Sequence, residues 1–170
     1  MTTGINYDGE VSGRLPTARE VKSASRLGFG EGVEVTPVQL AVLVSAIANG
    51  GTLLVPVVPR AQEGAAGLAA PKRRSIDISR DVLGEVIPGM LAAVERGTAS
   101  RVKDPQLKIA GKTGTIVNKE KGEGMGLFAS YAPADDPQLT VVVLTNGAGE
   151  SGPAAAQIAG TIYRALAGRL

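Results

Sequence analysis

Between Ile109 and Ile116 the chain reads Ile-Ala-Gly-Lys-Thr-Gly-Thr-Ile, which sets an ammonium, two hydroxyls and two glycines into strand-forming sequence. Glycine inside a strand weakens it and marks the close approach of a ligand or another backbone. Period-two alternation sends Lys112 and Gly114 to one face and Thr113 and Thr115 to the other. One face therefore carries two hydroxyls and the other a cation beside an empty space, a combination suited to holding an anion. A second candidate for chemistry is Ser100-Arg101-Val102-Lys103, a serine with a lysine one helical turn on. Asp104-Pro105 follows directly, and proline drives the residue before it out of helical geometry, so no long helix runs on from Ser100. Ser100 reads as a surface serine, and no other serine has lysine three positions later.

Strands and helices must hold these residues. Three strands are predicted over 107–117, 127–132 and 139–145. The link Pro133-Ala134-Asp135-Asp136-Pro137-Gln138 is short enough to demand an antiparallel pair. Residues 118–126 read as an exposed loop bordering the site. A helix over 36–49 has Thr36 as cap, Pro37 in its first turn, Gln39 completing a capping box and Gly50 after its end. It is apolar nearly all round, which predicts burial on every side. A second helix is expected over 79–96 with a kink at Pro88, and a third after Ser151-Gly152-Pro153, with Ile158, Ile162 and Leu166 on one stripe. Residues 1–35 are expected to be turns with a short helical piece at 18–25, and 60–74 a mobile connection. Read this way, the chain is α+β, an antiparallel sheet of three strands flanked by helices.

With 170 residues, 44% of them hydrophobic, the chain can bury the core of one ordinary domain. Aromatics make up only 3%, so Val, Leu, Ile and Ala build that core, with Phe29, Phe128 and three tyrosines as isolated large pieces. The net charge is +2, and Lys72-Arg73-Arg74 is too short a basic run to suggest nucleic-acid binding. Cysteine and histidine are absent, which excludes thiolate or imidazole metal sites, a catalytic cysteine and a Ser-His-Asp triad within these residues. Neither a signal-peptide core nor an apolar run of membrane-spanning length is present, so no export signal and no anchor are expected within the chain.

Several ordered segments share one resemblance. Lys112-Thr113-Gly114 is a K-T-G triplet. Ahead of it come Gly28-Phe29-Gly30, then Thr36-Pro37-Val38-Gln39-Leu40-Ala41, Ala48-Asn49-Gly50-Gly51, Pro56 and Gly97-Thr98-Ala99. Thr3-Gly4-Ile5, Glu10 and Gly13-Arg14-Leu15-Pro16 open the chain, and Gly126-Leu127-Phe128-Ala129-Ser130-Tyr131-Ala132-Pro133 follows the triplet. Together these resemble the C-terminal part of the penicillin-binding protein transpeptidase domain, class B-like, over nearly the whole of residues 1–170. The resemblance implies a β-lactamase/transpeptidase-like fold with three of its five strands present. The family's S-x-x-K and S-x-N motifs, expected upstream of everything quoted, are not in the chain.

The resemblance also implies a chemistry. A serine attacks the D-Ala-D-Ala end of a peptidoglycan stem peptide and the acyl group then passes to an amine, which makes the family serine-type D,D-transpeptidases. Lys112 would stabilise the substrate carboxylate and favour proton movement, Thr113 and Thr115 would donate hydroxyl hydrogen bonds to it, and the Thr115 N–H would form half of the oxyanion hole. Gly114 would let the substrate lie along the strand as an added strand. The nucleophile is not in this chain, which alone is expected to be inactive. No cofactor or metal is implied. The implied partners are stem peptide, β-lactam antibiotics and the N-terminal part of the same domain, and the implied location is the extracytoplasmic side of the bacterial inner membrane. Alternatives are a non-catalytic binding or regulatory remnant of the same fold, and a plain structural domain in which K-T-G is coincidental.

Overall fold

The computed structural model describes residues 2–170 except Phe29, residues 60–71, Asp77 and residues 119–121, and the side chains of Arg80 and Asn118 are likewise not described. Near the N-terminus the helical piece, α1 (Ala24–Gly28), starts later than the predicted 18–25. The Glu20 carboxylate explains the shift: it accepts from Thr17 and pairs with Arg14, which fixes 17–20 as a turn, and the Ser23 hydroxyl then receives the Arg26 N–H.

Helix α2 (Pro37–Ala48) begins as its sequence dictates. Thr36 Oγ1 accepts from Gln39 N at 3.2 Å while Gln39 Oε1 accepts from Thr36 N at 2.9 Å, so two otherwise orphaned donors are satisfied reciprocally. Its end is equally explicit, with Asn49 bonded both ways to Thr52 and Gly50 and Gly51 at positive φ. The expectation that α2 is buried all round is not met. Val44 and Ala46 are buried, but Val38 is 38% and Leu43 49% exposed.

After α2, β1 (Thr52–Leu54) pairs antiparallel with β2 (Arg73–Ser75), a small sheet the sequence did not announce, because three residues are too short to display alternation. Part of the expected connection over 60–74 is thus strand, and residues 60–71 lie outside the described residues. Helix α3 (Arg80–Glu95) is capped by Ser79 and runs on through Pro88. The main sheet has the order β3 (Ala110–Asn118), β4 (Glu123–Ala132), β5 (Leu139–Gly147), all antiparallel. β4 starts before the predicted Leu127, so the expected loop over 118–126 is shorter than predicted, and 119–121 lie outside the described residues. The chain closes with α4 (Gly152–Leu166) and a last 3₁₀ turn.

The sheet has two differently packed faces. Toward α4, Phe128, Val141, Ile109, Ala155, Ala159 and Tyr163 form one buried cluster. Toward α2 and α3, Ala110, Ala129 and Tyr131 pack on Val44 and Met90 in a second, smaller one. A short hydrogen-bond chain ties α4 down. Ser130 Oγ donates to Val141 O at 3.1 Å and lies 3.0 Å from Tyr163 Oη, so the phenol is the group left to donate to it. No helix among the described residues is long and apolar enough to cross a membrane.

Candidate active site

β3 has one partner, β4, among the described residues, so its other edge is open. The residues singled out from the sequence lie on this edge strand in the register Lys112↔Ala129, Thr113↔Phe128, Gly114↔Leu127 and Thr115↔Gly126. Lys112 is exposed and belongs to the α2 and α3 face, beside a cavity of 510 Å³ between those helices and the sheet. Its Nζ donates to the Thr113 carbonyl at 2.6 Å, and among the described residues it has no carboxylate partner. A cation with only a carbonyl to hold it can serve an incoming anion.

The two threonines share the other face but differ in access. Thr113 is 7% exposed, and its Oγ1 lies 2.6 Å from Thr98 Oγ1 in the turn after α3. Thr115 is exposed, and its Oγ1 accepts from the Gly152 N–H at the start of α4, at 3.0 Å. The structure therefore brings Lys112, Gly114 and Thr115 to one open edge, while the Thr113 hydroxyl is turned inward.

The two glycines also separate. A Cβ on Gly111 would sit 2.5 Å from the Phe128 ring, so the core requires glycine there. A Cβ on Gly114 would meet nothing closer than Leu127 at 3.5 Å, ordinary contact. Packing within the chain does not demand Gly114, and the flat surface it leaves lies at the open edge.

The second candidate pair falls apart. Ser100 starts an isolated 3₁₀ turn, Ser100–Val102, and Lys103 Nζ pairs instead with Glu95 at 2.6 Å. Among the described residues no cluster of acidic or metal-ligating side chains could hold a metal ion.

Sequence reasoning gave Thr98 and Gly152 no part in the site, Gly152 being read only as a candidate helix cap. The available signal was glycine. Gly124 and Gly126 stand in β4, where a Cβ would collide with the Glu150 and Ser151 carbonyls, and a Cβ on Gly152 would lie 2.7 Å from both Gly114 O and Thr113 Cβ. Glycine on both sides lets the loop entering α4 rest directly on the sheet under Thr113 and Thr115.

Comparison with known proteins bears on the family and the fold. The family model of the penicillin binding protein transpeptidase domain matches residues 1–164. Stage V sporulation protein D of Bacillus subtilis is 32% identical over 178 residues, covering 95% of this chain and 28% of its own length. The peptidoglycan D,D-transpeptidase MrdA of Acinetobacter baumannii is 29% identical over 191 residues, with the same coverage of 95% and 28%. This chain thus spans under a third of the curated relatives it matches. Among solved structures, the D,D-transpeptidase domain of a peptidoglycan glycosyltransferase from Eggerthella lenta superposes with a TM-score of 0.73 at 25% identity, covering 98% of this chain and 46% of that one. Penicillin-binding protein 2B of Streptococcus pneumoniae gives 0.75 at 24% identity, with 98% and 30% covered, which speaks to the fold.

Proposed function

The chain belongs to the penicillin-binding protein transpeptidase family, and on that premise we propose that residues 1–170 are the C-terminal portion of one D,D-transpeptidase domain and supply its carboxylate-binding and oxyanion strand. The observation that carries this reading is the open edge of β3, where a Lys112 with no carboxylate partner among the described residues, a Gly114 not required by packing and an exposed Thr115 lie together. A peptide laid along that edge as an added strand touches both faces of β3 at once, so Lys112 from one face and Thr115 from the other reach the same ligand.

The ligand is the D-Ala-D-Ala end of a peptidoglycan stem peptide, or a β-lactam in its place. A serine from the preceding part of the domain attacks the carbonyl of the penultimate residue. The C–N bond breaks, the terminal D-alanine leaves with the proton it acquires on nitrogen, and an amine of a second peptide later displaces the serine oxygen. β3 contributes no bond-making atom. The Lys112 ammonium and the Thr115 hydroxyl hold the carboxylate, and the Thr115 N–H donates to the oxyanion. That N–H shares an edge with the Thr113 carbonyl that Lys112 uses, since backbone groups two residues apart on a strand point the same way. The Thr113 hydroxyl reaches the carboxylate directly only by leaving Thr98; otherwise it anchors the strand. The domain works on the extracytoplasmic side of the inner membrane, where its substrate is.

The test is the rate of acylation by a fluorescent penicillin in the full-length protein that carries this chain. Lys112→Ala lowers that rate about a hundredfold or more, the scale of losing one preorganised electrostatic group, with thermal unfolding unchanged. An unchanged acylation rate would show that β3 is not the carboxylate strand. The 170-residue chain alone takes no label that survives denaturation. Label mapped to Ser100 would overturn the assignment of the nucleophile to another part of the domain.

A further inference from the structure

Helix α4 begins without help from its own cap residue. Ser151 stands at the N-cap with extended backbone, yet its side chain makes no capping hydrogen bond. Pro153 has no N–H, and the Ala155 N–H is taken by the Ser151 carbonyl. The Gly152 N–H, one of the donors that a helix start leaves without an intrahelical partner, goes to Thr115 Oγ1 at 3.0 Å. The strand threonine thus takes over the capping task that Ser151 leaves undone.

A threonine hydroxyl has one proton and two lone pairs. Once a lone pair is committed to a backbone N–H, the hydroxyl cannot turn its proton toward that partner, and the proton is directed elsewhere. Thr115 is exposed on the edge strand β3, and the helix start packs over the β3–β4 side of it, with Ser151 O against Gly126 of β4 and Gly152 against Gly114. We propose that Gly152 is a positioning residue for carboxylate recognition: its N–H fixes the Thr115 hydroxyl as a donor aimed at the open edge. This rests on the reading of β3 as the carboxylate strand. The same geometry explains why residue 152 is glycine. A Cβ there would lie 2.7 Å from Gly114 O and from Thr113 Cβ, so a side chain would push α4 off the strand and lengthen the bond to Thr115.

Two anchors keep this contact from being incidental. Thr98 holds Thr113 from below at 2.6 Å, and Tyr163 with Ser130 pins α4 to β4 and β5 three turns along. The helix start and Thr115 are therefore both fixed relative to the sheet, and the hydroxyl has its acceptor role imposed before any ligand arrives. A hydroxyl already set as a donor favours a carboxylate over the corresponding ester, because the ester oxygen is the weaker acceptor.

The experiment uses the full-length protein and compares acylation by a penicillin with acylation by its methyl ester. The informative variant replaces the peptide bond between Ser151 and Gly152 by an ester, introduced by ligating a synthetic C-terminal segment that starts before Ser151 and already contains the ester. It deletes one N–H and adds no atom, and the helix loses no internal bond because that N–H has no intrahelical acceptor. The expected result is a loss of acid-over-ester selectivity of about tenfold, the scale of one hydrogen bond to a charged group, with the melting temperature nearly unchanged. Thr115→Val loses the same selectivity, Thr115→Ser restores it, and Gly152→Ala follows the ester variant. Wild-type selectivity in the ester variant while Thr115→Val loses it would overturn the role of Gly152 and leave β3 as the carboxylate strand. Full selectivity in Thr115→Val would overturn both readings.

Discussion

The two faces of the β3–β4–β5 sheet are finished to different degrees. Under α4 the packing is closed: Phe128, Ala155, Ala156, Ala159 and Tyr163 have no solvent exposure, and the polar groups there bond to one another. Under α2 and α3 the cover is partial. A 510 Å³ cavity separates the helices from the sheet beside Lys112, Ile116 is 67% exposed, and an apolar groove of 660 Å³ runs between α2, β1 and the free edge of β5. The closed face is where stability comes from. The open face, with the open edge of β3, is where a ligand and the rest of a domain have room to sit.

The largest effect expected from this contrast concerns the physical state of the chain alone. β5 pairs only with β4 among the described residues, and its Val141-Val142-Val143 run leaves unpaired N–H and C=O groups on an apolar strand. Such an edge next to an apolar groove recruits other chains. Sedimentation of the isolated chain is expected to give self-associated or poorly soluble material, and joining it to the preceding part of a transpeptidase domain is expected to give a soluble monomer. A soluble monomer of the isolated chain, with the amides of 139–145 strongly protected from hydrogen exchange, would show that the open face needs no further cover.

Substitutions should separate the two faces by energy. Phe128→Ala empties the closed face and is expected to cost about 3–5 kcal/mol in denaturant unfolding. Leu43→Ala, on the exposed side of α2, is expected to stay within about 1 kcal/mol in the isolated chain. If Leu43→Ala becomes severely destabilising only once the preceding part is joined, the open face is where that part docks. Equal costs in both contexts would mean that it docks elsewhere.

The contrast was only half legible in the sequence. Period-two alternation correctly paired Lys112 with Gly114 and Thr113 with Thr115, and the capping box at Thr36, the start expected at Ser79 and the first-turn Pro153 placed the helices close to where they lie. What alternation cannot tell is what each face meets. Thr113 and Thr115 looked equivalent, yet one is closed off by Thr98 and the other faces solvent, because the partners come from a turn 15 residues earlier and a helix 37 residues later. The apolar circumference of α2 was read as burial, but composition does not tell which of its faces the described residues cover, and Val38 and Leu43 stay exposed. The β1–β2 pair escaped notice since Arg73-Arg74-Ser75 has no apolar pattern at all. The displaced α1 turned on a carboxylate drawn to Arg14, a contact no local rule anticipates.

The smallest effect tests the closed face by pH. Burial raises the Tyr163 phenol well above the ordinary tyrosine range, against the opposing pull of its bond with Ser130. The folded chain therefore keeps Tyr163 protonated where an unfolded chain ionises it, near pH 10. Above that pH unfolding releases a proton, so this contribution to stability is complete below about pH 10 and falls as pH rises further. Tyr163→Phe removes the titrating group and one donor while Ser130 keeps its bond to Val141 O. At neutral pH the expected cost is about 1 kcal/mol. Between pH 9 and 11, on the scale set by the free phenol, the variant should lose less stability than the wild type, so that the two unfolding curves converge. Parallel curves over that range would mean that Tyr163 ionises as freely in the folded chain as in the unfolded one, and that the face under α4 is not closed to water.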